Sequence, residues 1–366
     1  MIKYVDLSLQ HKAIKSELLE AISSVIDSGH FILGQNVSAF EQEFADYCGT
    51  DYAIGVNSGT DALILSLIAA GIGPGDEVIT VPNSFIATTL AILHTGAKPV
   101  FVDVCDDFNI DVSKIEPAIT ERTKVILPVH LTGACADMST LNEIANQFNL
   151  KVIEDAAQSV GAIHKERRSG SFGDFAAFSL HPLKTLHACG DGGVITCKET
   201  ESYESLLRLR NLGIENRNLT IDCGFNSRLD SIQAAILSVK MKYIDQWLDQ
   251  RQFNARIYRD QLSDIEELVL PVEHSFNRNA YHTFMIRCID RNDLKNFLLS
   301  SGIKTSIHYP TPIHLQPVCE SLNYKKGDFP VCEKQAETVL SLPVHQNLDE
   351  DEIQNICKKI REYYKV

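Results

Sequence analysis

The sequence has few of the features that mark a membrane, nucleic-acid-binding or metal-binding protein. Its longest apolar run, residues 63–73, is shorter than the roughly 18 residues that a membrane-spanning helix needs. No cluster of Lys and Arg offsets the formal net charge of −14, so this chain would repel nucleic acid. The ten cysteines form no CxxC pair and match no zinc spacing. We therefore expect no membrane span, no nucleic-acid partner and no metal.

Two further absences concern location and domain content. Residues 1–15 lack the apolar segment of a secretory signal, and scattered cysteines are typical of a reducing compartment, which predicts a cytoplasmic protein. The chain has no internal repeat and no low-complexity linker. Because 366 residues are long for one hydrophobic core, we expect two domains.

Helix and strand patterns alternate over the first two-thirds of the chain. Alternating β and α elements at this spacing predict an α/β fold with a mostly parallel sheet covered by helices on both faces. Apolar, β-branched runs predict strands at 52–56, 77–81, 98–104, 123–129, 150–156, 174–180 and 194–198. Helical patterns occur at about 12–28, 37–48, 86–95 and 138–149, and another helix begins at Asp61.

The pattern changes after residue 228. Residues 228–262 read as one long amphipathic helix that leaves the first domain, and residues 349–366 read as a surface helix with acidic residues at its start. The predicted organisation is a large domain over residues 1–235 and a smaller α+β domain over residues 236–366.

Three stretches carry residues suited to chemistry. In NSGTDAL, residues 57–63, a strand passes into a helix, and the N–H groups of Gly59 and Thr60 can hold a phosphate. Asp155 ends an apolar strand, where open α/β sheets bind ligands. Lys184 follows a strand and precedes a glycine-rich turn, a place where burial lowers the pKa of an amine and exposes a nucleophile. Taken singly, the first is equally an ordinary turn and the second equally a helix N-cap, and a lone lysine in such a place is more often structural or solvated.

Together, the three stretches are the parts that hold pyridoxal phosphate. The carboxylate keeps the pyridine nitrogen protonated, the lysine forms the Schiff base and later moves the proton, and the helix N-terminus anchors the phosphate. The sequence contains neither of two other phosphate-binding motifs, the GxGxxG dinucleotide fingerprint and the Walker loop.

The whole chain resembles the DegT/DnrJ/EryC1/StrS family of sugar aminotransferases, which are fold-type-I pyridoxal-phosphate enzymes. The matching motifs run nearly end to end and in order. They are G-x-x-V-x-x-FE-x-EFA (34–45), NSGTDAL (57–63), GDEVITVPNSFIATTLAI (75–92), KPVFVDV (98–104), PVHLTGACADM (128–138), VIEDAAQSVGA (152–162), GSFGDFAAFSLHPLK (170–184), GDGGVIT (190–196), GFNSRLDSIQAAIL (224–237) and HYPTPIHLQP (308–317).

The resemblance implies roles for the residues in these motifs. Lys184 would form the Schiff base, Asp155 would pair with the pyridine nitrogen and Gln158 would bond the phenolic oxygen of the ring. Phe85 would stack on the ring.

The resemblance also implies how the phosphate is held. Gly59, Thr60 and Ser179 would bind it within one subunit. Asn226, the asparagine of the G-x-N-x-R motif, would reach it from a neighbouring subunit, so a homodimer with shared active sites is expected.

The implied reaction moves an amino group from glutamate to a keto sugar, most often one linked to a nucleotide, for amino-sugar or surface-glycan biosynthesis, lipopolysaccharide included. His308, Tyr309 and His314 are weaker candidates for substrate contacts, and ordinary packing would equally explain each of them.

Two departures from the family pattern bear on the substrate. Residues 184–187 read K-T-L-H where the family has K-N-L-G or K-N-L-N, which predicts a different shape beside the substrate. Residues 211–224 lack a Tyr-His pair that many nucleotide-sugar members carry, so an oxo-sugar acid or a sugar phosphate is a second possible class of acceptor.

The sequence also leaves two different activities open. One is that of a pyridoxal-phosphate sugar dehydratase, in which a histidine replaces the lysine; Lys184 argues against it. The second is a non-catalytic regulatory domain, which the intact set of Asp155, Gln158, Ser179 and Lys184 argues against.

Overall fold

The computed structural model describes residues 1–366, which form twelve α-helices and fourteen strands. The helices are α1 Leu7–Ser28, α2 Gln35–Cys48, α3 Gly59–Ala69, α4 Ile86–His94, α5 Ile115–Ala118, α6 Met138–Gln147, α7 Thr200–Leu209, α8 Ser231–Met241, α9 Ile244–Leu262, α10 Arg291–Ser300, α11 Pro330–Thr338 and α12 Glu350–Tyr364. The strands are β1 Tyr52–Val56, β2 Glu77–Thr80, β3 Lys98–Phe101, β4 Thr123–Ile126, β5 Lys151–Asp155, β6 Ile163–His164, β7 Arg167–Arg168, β8 Phe175–Ser179, β9 Gly193–Cys197, β10 Ile214–Asn216, β11 Leu219–Thr220, β12 Asn277–Arg278, β13 Phe284–Arg287 and β14 Val339–Leu342.

A seven-stranded sheet in the order β1-β9-β8-β5-β4-β2-β3 forms the centre of the larger core. Strands β8, β5, β4, β2 and β3 are parallel, and β9 runs antiparallel to both of its neighbours, β1 and β8. The strands are buried along most of their length, as a sheet covered on both faces requires. The predicted α/β class with a mostly parallel sheet is confirmed.

The reversed strand β9 brings the ends of two other strands together. Gly193, its first residue, pairs with Val56 at the end of β1 and with Ser179 at the end of β8. Strand β5, which ends at Asp155, lies on the other side of β8. The carboxyl ends of β1, β8 and β5 therefore lie along one edge of the sheet, which is where open α/β sheets bind ligands.

The long helix expected over 228–262 is instead two helices, α8 and α9, separated at Lys242 and Tyr243. Helix α8 packs against α1 and α2, and its buried Lys240 donates a hydrogen bond of 2.9 Å to the carbonyl of His187. Helix α9 continues into a second core. Both sides of the break, at Val239 of α8 and at Ile244 of α9, still pack in the larger core.

The second core is smaller and includes α9, α10, α12 and the β13–β14 pair. Trp247 and Leu248 of α9 pack in the larger core, whereas Tyr258 and Leu262 pack in the smaller one. The transition between the cores thus lies within α9, and the expected boundary at 235/236 falls inside α8.

The last helix, α12, begins close to its predicted start. Asp349 and Glu352 form a capping box there, in which each side chain accepts a hydrogen bond from the backbone of the other residue. None of the helices of the fold is both long enough and apolar enough to cross a bilayer. All ten cysteines are free thiols.

The contact between β9 and the β1–α3 turn predicts the effect of a small substitution. A Cβ atom at Gly193 would overlap the carbonyl oxygen of Ser58 and lie 2.9 Å from the nitrogen of Gly59. We expect Gly193→Ala to lower the free energy of unfolding by about 1–3 kcal/mol, since backbone must move to admit the methyl group. Denaturant unfolding measures this change, and Gly73→Ala is the matched control because open space surrounds that position. Equal stability of the two variants would contradict the close contact.

Candidate active site

A cavity of about 350 Å³ lies at the carboxyl edge of the sheet. Its volume is in the range of small-molecule sites. It brings together nine of the residues predicted from the sequence, which are Gly59, Thr60, Phe85, Asp155, Gln158, Ser179, Lys184, His308 and Tyr309.

One side of the cavity, at the start of α3, has the geometry of a phosphate cradle. Ser58 is the N-cap, and its hydroxyl accepts a hydrogen bond of 3.1 Å from the N–H of Asp61. The N–H groups of Gly59 and Thr60 have no acceptor within the helix, and the helix dipole adds partial positive charge there. A Cβ at Gly59 would lie 2.6 Å from the Cβ of Ser179, so glycine lets the serine hydroxyl approach the cradle.

Asp155 lies at the end of β5 and is held from two sides. Its carboxylate accepts hydrogen bonds from the Thr88 hydroxyl, at 2.7 Å, and from the Ala157 N–H, at 3.2 Å. Burial raises the pKa of Asp155, and these hydrogen bonds together with the charge of Lys184 act in the opposite direction. A cationic ring nitrogen bound beside this carboxyl would favour its ionised form.

Lys184 presents an amine that makes no hydrogen bond within the chain, and its backbone is fixed by a bond of 2.8 Å to the carbonyl of His181. Burial lowers the pKa of Lys184 to about 8, and the nearby charge of Asp155 raises it only in part. A free amine is the nucleophile that Schiff-base chemistry requires.

The remaining wall fits a flat ring. Phe85 is 54% exposed, and its ring lies 5.9 Å from that of Tyr309. The side-chain oxygen of Gln158 is buried with no hydrogen-bond partner, which is the state expected of a group that bonds a ligand. With the cradle, the carboxyl and the amine, this orphaned oxygen completes a donor and acceptor set that fits pyridoxal phosphate.

Two residues that the sequence reasoning missed belong to this region. His282 lines the cavity and also a small neighbouring cavity of about 50 Å³; its Nδ1 is buried without a partner, and burial together with the charge of Lys184 holds its pKa well below the usual value. Arg251 lines the neighbouring cavity and donates a hydrogen bond of 2.9 Å to the carbonyl of Tyr281. Arg251 lies on the helix predicted over 228–262 and His282 lies just before β13, and no local motif indicated either of them.

Two of the predicted residues lie outside the cavity of their own chain. His314 does not reach it, because it is buried against Phe329 and is hydrogen-bonded at 3.1 Å to Glu333. This geometry corrects its assignment as a substrate contact. Asn226 is exposed and also lies outside the cavity, so any contact that it makes with the phosphate must come from a second subunit.

None of residues 185–187 of the K-T-L-H stretch lines the cavity. His187 is buried, with its Nδ1 at 3.0 Å from the Lys184 carbonyl and its Nε2 at 3.2 Å from that of His11. It therefore supports the backbone of the lysine, and the expected difference in shape beside the substrate stays a prediction.

The lowered pKa of Lys184 can be tested in the cofactor-free protein. Amine labelling read by peptide mass spectrometry should be half-maximal near pH 8 at Lys184. In Asp155→Asn the labelling midpoint should fall further, because the carboxylate raises the pKa of the amine. Lys240 has a similarly low pKa, about 8, but is fully buried, so it should react slowly at every pH. A midpoint at Lys184 near the ordinary lysine value of 10.5 would refute the assignment.

Comparisons with known proteins agree with the geometry. The sequence matches the DegT/DnrJ/EryC1/StrS aminotransferase family over residues 12–361. It is 42% identical to a pleiotropic regulatory protein of Geobacillus stearothermophilus, covering 100% of this chain and 99% of that protein. It is 40% identical to dTDP-3-amino-3,4,6-trideoxy-alpha-D-glucose transaminase of Streptomyces venezuelae, covering 99% of this chain and 96% of that enzyme.

A solved structure is similar over the same extent. The crystal structure of DesV from S. venezuelae, in complex with a ketimine intermediate, matches with a TM-score of 0.97 and 40% identity, and covers 100% of this chain and 99% of that chain. The chain therefore belongs to the DegT/DnrJ/EryC1/StrS aminotransferase family and is a pyridoxal-phosphate-dependent aminotransferase of fold type I.

Proposed function

We propose that the protein transfers an amino group from glutamate to a keto sugar, and that this sugar is carried on a nucleoside diphosphate. One observation carries the proposal. The amine of Lys184, which has no hydrogen-bond partner, shares a cavity with the buried carboxyl of Asp155 and the phosphate cradle at the start of α3. The side chains of His308 and Tyr309 line the same cavity. The dTDP-sugar transaminase to which the chain is similar supports the nucleotide-linked acceptor.

Different residues of this chain bind the cofactor and transfer the proton in the proposed reaction. When bound, pyridoxal phosphate supplies an electron sink that stabilises negative charge at the carbon bearing the amine. Asp155 holds the proton on the ring nitrogen, and Gly59, Thr60 and Ser179 fix the phosphate. Lys184 holds the cofactor at rest and carries a proton between donor and acceptor positions, a role that suits an amine whose pKa is about 8.

The acceptor side of the cavity is polar. Burial and the charge of Lys184 lower the pKa of His308 to about 4, so its imidazole is neutral and hydrogen-bonds sugar oxygens. Its Nδ1 lies 2.8 Å from the Ser341 hydroxyl, which leaves Nε2 for the substrate. The guanidinium of Arg251 in the adjoining cavity supplies positive charge for a phosphate of the acceptor.

The competing activities have less support. A dehydratase of this family has histidine in place of the lysine, whereas Lys184 is in place here and His187 lies behind it. A purely regulatory protein has no need of a partnerless amine or of an orphaned Gln158 oxygen. An oxo-sugar acid or a sugar phosphate remains the second class of acceptor.

The function is tested by a screen of acceptors. Keto-sugar nucleotides, sugar phosphates and oxo-sugar acids are each incubated with holoenzyme and glutamate, and 2-oxoglutarate is measured. We expect turnover with a keto-sugar nucleotide and, in Lys184→Ala, a loss of at least about 100-fold, because the proton carrier is gone. Borohydride reduction of the parent should attach the cofactor mass to the Lys184 peptide.

Circular dichroism is the control for folding of Lys184→Ala, which removes an amine that has no hydrogen-bond partner in the fold. Turnover only with sugar acids or sugar phosphates would refute the nucleotide-linked acceptor. A cofactor tag on another lysine would refute the role of Lys184.

We also propose a homodimer with shared active sites. A group of apolar side chains is exposed beside Asn226. The segments that carry these side chains are joined by backbone hydrogen bonding between residues 211 and 226 and between residues 31 and 231. A second copy of the chain would cover this group and place Asn226 against the phosphate of the neighbouring cradle. The exposed apolar residues are Phe31, Ile32, Leu212, Leu219, Ile221 and Phe225.

Mixed dimers test this arrangement. Lys184→Ala and Asn226→Asp protomers should each be inactive, the latter because its added carboxylate repels the phosphate. After subunit exchange, one site of each mixed dimer carries both lesions and the other carries none, so about half of the mixed-dimer sites should be active. If confirmed exchange restores no activity, Asn226 acts within its own subunit and the shared-site proposal fails.

The cytoplasmic location remains a prediction from the cysteine usage and the missing secretory segment. The entry of the product into amino-sugar or lipopolysaccharide biosynthesis and glutamate as donor remain predictions of the resemblance.

A further inference from the structure

A second polar cavity, of about 460 Å³, lies outside the active site. Helix α9 forms one wall with Gln252, Arg256 and Arg259, and residues 272–281 form much of the rest. It shares no lining residue with the active-site cavity. Tyr281 lines this cavity, and the next residue, His282, lines the active site, so the two cavities lie on opposite sides of one segment.

Three arginines from two separate segments line this cavity, which is unusual in a chain with a net charge of −14. Arg256 is exposed and makes no ion pair or side-chain hydrogen bond. Arg259 and Arg278 are each paired with one exposed carboxylate, of Glu273 at 3.0 Å and of Asp249 at 2.5 Å. A guanidinium has five N–H donors, so these single ion pairs leave donors for another ligand.

Three arginines outnumber the two carboxylates in the wall of this cavity, which are those of Asp107 and Glu273. The carboxylate of Asp107 lies 3.1 Å from Nε2 of His274, which also lines the cavity. Arg259 donates a hydrogen bond of 2.9 Å to the carbonyl of Pro271, while its Nε is buried without an acceptor. Such an unsatisfied donor normally pairs with a bound ligand or water. A guanidinium cluster with unused donors matches the several oxygens of a phosphate group.

We propose that this cavity is a second binding site, which takes the phosphate or diphosphate group of a small metabolite. Arg256 is the main contact because no carboxylate competes for it, and Arg259 and Arg278 share the remaining oxygens. The volume exceeds that of a phosphate ion, so the rest of the metabolite lies against the polar side chains of Ser275, Asn277 and Asn279.

Calorimetric titration of the holoenzyme with inorganic pyrophosphate tests the site. We expect saturable binding that weakens as salt rises, and an affinity at least about ten-fold lower in Arg256→Gln, since charge-assisted hydrogen bonds are lost. Lys358→Gln removes the same charge from an exposed position on α12 and is the matched control, with unchanged affinity. Arg256 is exposed and lies outside the active-site cavity, so kcat of Arg256→Gln should equal that of the parent.

The source of the phosphate group is resolved by repeating the titration with inorganic phosphate and with a hexose phosphate. Tighter binding of the hexose phosphate indicates a metabolite site, whereas equal affinities indicate a site for free phosphate and overturn the metabolite assignment. Absence of saturable binding to the parent, or equal pyrophosphate affinity in parent and Arg256→Gln, would overturn the proposal. The titrations do not involve turnover, so their outcome is separate from that of the proposed aminotransfer.

Discussion

The antiparallel insertion of β9 between β1 and β8 is the constraint on which the site depends. Gly193 pairs with Val56 and Ser179 at once, and no side chain separates it from the backbone of Ser58. The start of α3 is thereby fixed beside the end of β8, and the phosphate cradle acquires the Ser179 hydroxyl. Asp155, one strand further along, then lies in the same cavity as Lys184.

Burial at this edge changes the charge states on which the chemistry relies. It raises the pKa of Asp155 and lowers that of Lys184, because a low-dielectric site disfavours both charged forms. The attraction between the two charges shifts each pKa in the direction opposite to the shift that burial causes. A cationic cofactor ring would shift the carboxyl back towards its anion, while the lysine keeps an amine that is partly free at neutral pH.

Particular residues show why sequence reasoning found some features and missed others. The ends of three strands at 56, 155 and 179 were predicted to within one residue, because apolar runs stop there. The break between α8 and α9 was missed because no proline or glycine marks it. The place of His187 could not be predicted either, because its ring contacts His11, 176 residues away.

The sequence by itself determined the fold class and the cofactor and predicted the residues that would hold it, since periodicity and local motifs encode strands, helix starts and the lysine. The assembly of these parts was decided by tertiary structure. His282 and Arg251 come to the active site from the second half of the chain, and Arg256 and Arg278 converge on the second cavity. Such contacts depend on how two cores pack against each other, and no local pattern records that packing.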